Sequence, residues 1–430
     1  MNLWAEFDNQ HAQKEAVGHT QTRRLTEQVV LSRLREWLLQ DYASSYCRSL
    51  AAMRIYRRCY WIDGWGINAR KNVGPINQDV GPENTSKLDP ADTSFPVLQQ
   101  IVSLSRLLAQ ESKPIALNGI VLGSGSSRRK ESRAGHYGVK DKEENASIAP
   151  VKDTLKLPKE SALVAGSWLE IAPVLLKEIE SSPAIFLLNP FGHTLFTNDD
   201  LLLLYQRQSA PTELCLLIPH KQAETRLLSS SRTQAGVATL TALLRTDRWK
   251  VFLPKDEQTM PLLDGIIDLL LATMQQHFLW VQRSAFPLQV RPAIIEKAPY
   301  TLIFATRSKD SLASMNDAVC LYHRRLAEQS HQGLLGEEWF AEQQREHFAE
   351  ELRQLRQHLL RQGKAQRTRR WPDLRQQLLP TYFGQFTLHD FDEAICILLE
   401  QEDVRCDWRR MSAGDEGKRV PGFEDILLWR

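Results

Sequence analysis

Two short runs in this chain carry residue types suited to holding a planar, polar ligand. The first is Ile62-Asp63-Gly64-Trp65-Gly66, a β-prone stretch that ends in an acid and two glycines. Glycine lets a backbone approach a ligand closely, and a carboxylate at a strand end accepts hydrogen bonds from a ribose hydroxyl or an amino group. Asp63, Gly64 and Gly66 are therefore candidate ligand-binding residues. The second run is Leu188-Asn189-Pro190-Phe191-Gly192. A carboxamide oxygen and a nearby carbonyl can accept both hydrogens of an NH2 group, and an adjacent aromatic ring can stack on a flat substrate. Asn189, Pro190 and Phe191 are thus candidates for chemistry at an amino nitrogen. Each run also has a plainer reading, because Asp-Gly and Asn-Pro after a strand mark turns.

The surrounding periodicity supplies the elements that must position them. Residues 21–58 read as one long helix or two short ones, with Leu25, Val29, Leu31, Leu34, Trp37 and Leu38 at helical steps. Arg23, Arg24, Arg33, Arg35 and Glu36 are assigned to the other faces. Strands are predicted at 59–64, 115–122, 184–188, 214–218 and 300–305, and helices at 96–110, from 162 or 167 to 179, at 199–206, 235–246 and 259–283. Residues 67–93 read as a long polar loop and 123–153 as a mobile insertion that lacks apolar periodicity. Helices alternating with short apolar strands predict a parallel sheet covered on both faces. Open sheets of that kind bind ligands at the carboxyl ends of their strands, which is where both runs fall.

Other signals are weaker. Gly123-Ser124-Gly125-Ser126-Ser127-Arg128-Arg129-Lys130 lacks the Gly-Lys-Ser/Thr ending of a phosphate loop and reads as linker. The histidines show no HExxH or HxH spacing, the six cysteines form no CxxC pair, and no metal is assigned. The start, Met-Asn-Leu-Trp-Ala-Glu-Phe-Asp, does not read as a signal peptide, and no run is long and apolar enough for a membrane span, so a cytoplasmic protein is expected. A net charge of +2 gives no global argument for nucleic acid. A local one exists near the C-terminus, where Arg361, Lys364, Arg367, Arg369 and Arg370 crowd together. They suit either a solvated helix face or phosphate contact.

The order of these features along the chain is the layout of an S-adenosylmethionine-binding Rossmann fold. The chain resembles the bacterial three-Cys-motif partner proteins, a methyltransferase-like family. The resemblance rests on Tyr60-Trp61-Ile62-Asp63-Gly64-Trp65, Thr93-Ser94-Phe95-Pro96-Val97-Leu98, Phe186-Leu187-Leu188-Asn189-Pro190-Phe191-Gly192, and Tyr300-Thr301-Leu302-Ile303-Phe304-Ala305-Thr306-Arg307 followed by Met315. It covers residues 20–325. It implies a methyltransferase-type sheet, S-adenosylmethionine as cofactor, a partner protein bearing a three-cysteine motif, and an amino-nitrogen target that includes nucleic acid. The chain departs from the family at Ile67-Asn68-Ala69-Arg70, where further glycines are expected, and at Asn189, where the family has Asp. Its second strand ends in Leu122-Gly123-Ser124 without an acid for the ribose.

Three parts are expected in the 430 residues: an N-terminal helical segment over 1–58, a Rossmann-like domain over 59–325, and a C-terminal helical module over 340–430 with a winged-helix-like ending. Two functional readings stand. One is an S-adenosylmethionine-dependent methyltransferase. The other is a catalytically degenerate scaffold of the same fold that binds protein or nucleic acid.

Overall fold

The computed structural model describes residues 31–65, 94–123, 161–165, 167–192, 195–253, 263–287, 299–331, 337–367, 370–409 and 419–430. The loop expected at 67–93 and the insertion expected beyond Gly123 lie outside the described residues.

Among the described residues the chain is an α/β protein built on a seven-stranded sheet. Its strands are β1 (Arg58–Asp63), β2 (Ala116–Gly123), β3 (Ala162–Ala165), β4 (Ala184–Leu188), β5 (Thr212–Pro219), β6 (Trp280–Phe286) and β7 (Tyr300–Thr306). They lie side by side in the order β3-β2-β1-β4-β5-β7-β6. The first five are parallel, and β7 runs antiparallel to both of its neighbours. The order reverses between β1 and β4, so the carboxyl ends of those two strands flank the crevice that a Rossmann-like sheet uses for ligands.

Strand alternation splits the core into two apolar layers. Trp61, Ile185, Leu187, Cys215, Leu217 and Phe304 face one way. They pack against α1 (residues 31–53), α2 (Ser94–Gln110) and α8 (Lys309–His331). Ile62, Phe186, Leu188, Leu214, Leu216 and Ile303 face the other way. They meet α3 (Trp168–Glu178), α4 (Asn198–Tyr205), α5 (His220–Ser231), α6 (Gln234–Leu244) and α7 (Leu263–Met274). All five residues of β4 are buried, as a central parallel strand requires. Within α1 the turn Leu38–Ala43 is wound as a π-helix and Ser44–Met53 as α-helix.

The structure corrects the expected elements in three places. Helix α7 stops at Met274, and Trp280–Phe286 is a strand rather than the end of that helix. Its second half alternates with period two, Ser284 and Phe286 buried and Arg283 and Ala285 exposed, a signal that the apolar run of α7 before it obscured. Ala162–Ala165 is a short edge strand, and the following helix begins after Ser167, which forms a capping box with Glu170. Helix α5 was not expected at all, because His220-Lys221-Gln222-Ala223-Glu224-Thr225-Arg226 carries little apolar signal.

The C-terminal part comprises α9 (Glu337–Gln366), α10 (Trp371–Leu378), α11 (Leu388–Glu400) and an antiparallel pair, β8 (Val404–Asp407) with β9 (Ile426–Trp429). Its apolar residues, among them Leu355, Leu359, Trp371, Leu374, Phe391 and Leu427, belong to the same core cluster as one face of the sheet. Helix α8 makes the join. The Asn316 amide donates to Phe386 O at 2.8 Å and its oxygen accepts from Gly384 N at 2.8 Å. Leu388 N donates to Asp317 Oδ1 at 2.9 Å, and Arg324 pairs with Asp390. Among the described residues no helix is long and apolar enough to cross a membrane.

Candidate functional site

Residue Asp63 ends β1 and pairs in register with Leu187 of β4. Gly64 N continues that ladder by donating to Leu187 O at 2.8 Å. The glycine is needed for packing inside the protein: a Cβ there would stand 2.5 Å from Leu188 Cδ2. Both candidate runs are thereby brought side by side at the carboxyl edge of the sheet. Gly66, the third candidate of the first run, lies outside the described residues.

The Asp63 carboxylate is buried, and so is the arginine beside it. Arg35 Nη2 on α1 donates to Asp63 Oδ1 at 3.1 Å, with both side chains 1% exposed. Trp65 N donates to the same oxygen at 3.1 Å. Oδ2 has no hydrogen-bond partner among the described residues. Burial pushes the Asp63 carboxyl above its ordinary range, against the opposing pull of the Arg35 charge and the Trp65 N–H. The Trp65 ring lies over the guanidinium, with Arg35 Cζ 5.5 Å from the ring centroid. Its other neighbour is Tyr300, 6.5 Å away between centroids.

Asn189 is also buried, and its side chain works locally. Its Oδ1 accepts from Phe191 N at 3.0 Å and its Nδ2 donates to Gln222 Oε1 at 3.1 Å. The backbone closes the turn through Gly192 N to Asn189 O at 3.3 Å and Phe196 N to Pro190 O at 3.0 Å. One lone pair of Oδ1 is therefore used by the turn and a second is left over. The structure overturns the stacking role expected of Phe191. Its ring is wholly buried in the core layer with Phe186 and Leu188, and it offers no face to a flat substrate.

Three further side chains gather at this edge. His220 and Gln222 open α5, just beyond the end of β5, and Tyr300 opens β7 beside Pro219. His220 Nε2 lies 2.7 Å from Thr301 Oγ1. Sequence reasoning missed His220 and Gln222 along with their helix, and it put Arg35 on an outer face of α1. The signal for Arg35 was present: it stands four residues after Leu31 and three before Leu38, which places it on the buried stripe.

Arg361, Lys364, Arg367 and Arg370 are all exposed, the first two on α9 and the others just beyond its end. No acidic side chain pairs with these four among the described residues; Arg369 falls outside them. No group of metal-ligating side chains occurs among the described residues. Comparison of the chain with protein-family models, with curated proteins and with solved structures finds no match.

Proposed function

We propose that this chain is a methyltransferase-type Rossmann protein that binds S-adenosylmethionine at the carboxyl ends of β1 and β4 and serves an amino-nitrogen target. The observation that carries this reading is the meeting of Asp63-Gly64 and Asn189-Pro190 where the strand order reverses. The strand order, with β7 reversed between β5 and β6, is that of methyltransferase-type sheets and supports the same reading. The orphaned, buried Oδ2 of Asp63 is an acceptor suited to an N–H or O–H of such a cofactor. Asp63 would hold the cofactor with Gly64, and the spare lone pair of Asn189 would accept from the target's amino group. When bound, the cofactor supplies an electrophilic methyl group. Asn189 and the turn it stabilises orient the attacking nitrogen and do not act as a strong base.

Calorimetric titration with S-adenosylmethionine and S-adenosylhomocysteine tests the reading. Roughly micromolar binding is expected, lost in Asp63→Ala and weakened in the isosteric Asp63→Asn. A folded chain that binds neither ligand would overturn it.

A second reading is favoured by a specific observation. Asp63 Oδ1, Asn189 Nδ2 and the Phe191 ring are all engaged within the chain. In this reading the fold is a scaffold that acts through partners: a protein with a three-cysteine motif, and a nucleic acid held at the basic end of α9. The sequence of α10, α11, β8 and β9 has the order of a winged helix. The exposed residues of α11 nevertheless include Glu393 and Glu400, which repel phosphate. Backbone contact would therefore fall to Arg361, Lys364, Arg367 and Arg370.

A further inference from the structure

We propose that the chain associates head to tail with a second copy of itself, the basic and apolar tip between α1 and β1 of one copy receiving the acidic first turns of α9 from the next. The tip is the turn Met53-Arg54-Ile55-Tyr56-Arg57-Arg58. It stands at the amino end of β1, the opposite end of that strand from Asp63. Met53 is 47% and Ile55 72% exposed, although both are large and apolar. Arg54, Arg57 and Arg58 are exposed around them, and none forms an ion pair among the described residues. Arg54 closes α1 at φ 58°, the left-handed position where glycine is the usual residue. The dipole of α1 accounts for a cation at its end, but not for the apolar side chains left in solvent beside it.

Helix α9 begins with the complementary chemistry. None of its side chains from Glu338 to Gln354 is buried, and Leu355 is the first that is. At 1.5 Å per residue that is about 25 Å of helix without a buried side chain. Within it Glu338, Trp339, Glu342 and Glu346 share one face by their three- and four-residue spacing. Trp339 is 60% exposed, with its ring edge-on to Phe340 at 5.0 Å between centroids. Glu338 and Glu342 form no ion pair among the described residues. Methionine, arginine and tryptophan are residues that protein interfaces favour. Two tips, or two helix starts, bring like charges together, whereas a tip and a helix start pair opposite ones. The contact therefore joins two different surfaces, and contacts of that kind grow into rings or filaments. Both patches are small, so a weak interface is expected, with a Kd of roughly 10–100 μM.

Sedimentation velocity of the full chain across that concentration range tests the proposal. The wild type should grow beyond a dimer as concentration rises, and associate about tenfold less tightly in high salt than in low salt. Ile55→Ser with Arg57→Gln removes the tip, and Trp339→Ala with Glu342→Gln removes the helix face. All four side chains are exposed, so both variants should fold. Each alone should stay monomeric. Mixed, the two should form a dimer that grows no further, because each keeps the surface that the other has lost. A wild type that stays monomeric throughout overturns the proposal. So does association that either variant retains alone, or a mixture of the two that does not pair. If the tip instead holds a labelled oligonucleotide on a chain that stays monomeric, its partner is a polyanion and not a second copy.

Discussion

Glu213 is the clearest case of one residue whose charge the fold controls. It sits near the start of β5 and is 1% exposed, accepting from Ser311 Oγ in the first turn of α8 at 3.0 Å. Burial pushes its carboxyl up to about 7, against hydrogen bonds from Thr306 and Ser311. Below the ordinary value of 4.5 the group is protonated in both the folded and unfolded states. Between 4.5 and 7 only the folded state keeps the proton, so stability falls as pH rises through that window and stays low above it. The loss is about 3 kcal/mol when complete. Urea unfolding at about pH 5 and about pH 8 should show this loss in the wild type and its absence in Glu213→Gln. Parallel pH dependence in the two proteins would show that Glu213 does not titrate in this range. The candidate site follows the same rule of burial. Its acid and asparagine could be read from the sequence, but whether Asp63 faced solvent or an arginine could not.

At the scale of elements, most helices and strands were legible because their periodicity is local. Strands β4 and β7 and helix α2 match their expected ranges closely, since a continuous apolar run or an amphipathic stripe marks each. Strand β6 and helix α5 were not legible. The first follows α7 by only five residues and mixes polar with apolar side chains, and the second buries only Ala223 and Leu227 as apolar residues, too short a stripe to read. Gly363, in the last turns of α9, shows how tertiary packing overrides local preference. A Cβ there would lie 2.3 Å from Trp429 Cε2 on β9. Alanine is better than glycine in a helix by about 1 kcal/mol, whereas overpacking costs about 1–3 kcal/mol. Gly363→Ala should therefore lower stability in the wild type, yet raise it in a Trp429→Ala background. Denaturant titration of the four proteins checks the reversal. A stabilising effect in both backgrounds would mean the indole moves aside at no cost.

For the whole molecule the question is how charge and core are distributed. The net charge is +2, yet α9 gathers Glu337, Glu338, Glu342, Glu346, Glu350 and Glu351 towards its start and Arg353, Arg356, Arg361 and Lys364 towards its end. Such an order complements the helix dipole by itself. Phosphate contact makes a separate demand. If Arg361, Lys364, Arg367 and Arg370 meet a polyanion, log affinity should fall with log salt at a slope of about −3 to −4. Replacing all four by Gln should abolish that dependence. Fluorescence anisotropy with a labelled duplex measures the slope. A flat slope, or no binding in low salt, leaves these side chains as the solvated end of a helix.

What the sequence determined by itself was local: the strand and helix types, the glycines and polar residues at two strand ends, and the α/β alternation that makes a Rossmann-like sheet. These follow from side-chain period and turn chemistry, which act over a few residues. Tertiary structure alone decided the rest. It placed β7 between β5 and β6, turned Arg35 inward onto Asp63, and closed Phe191 into the core. It also joined the C-terminal helices to the sheet through Asn316, Asp317 and Arg324 on α8. Each of these depends on partners tens to hundreds of residues away or on burial by the whole fold, and neither leaves a local pattern from which to read it.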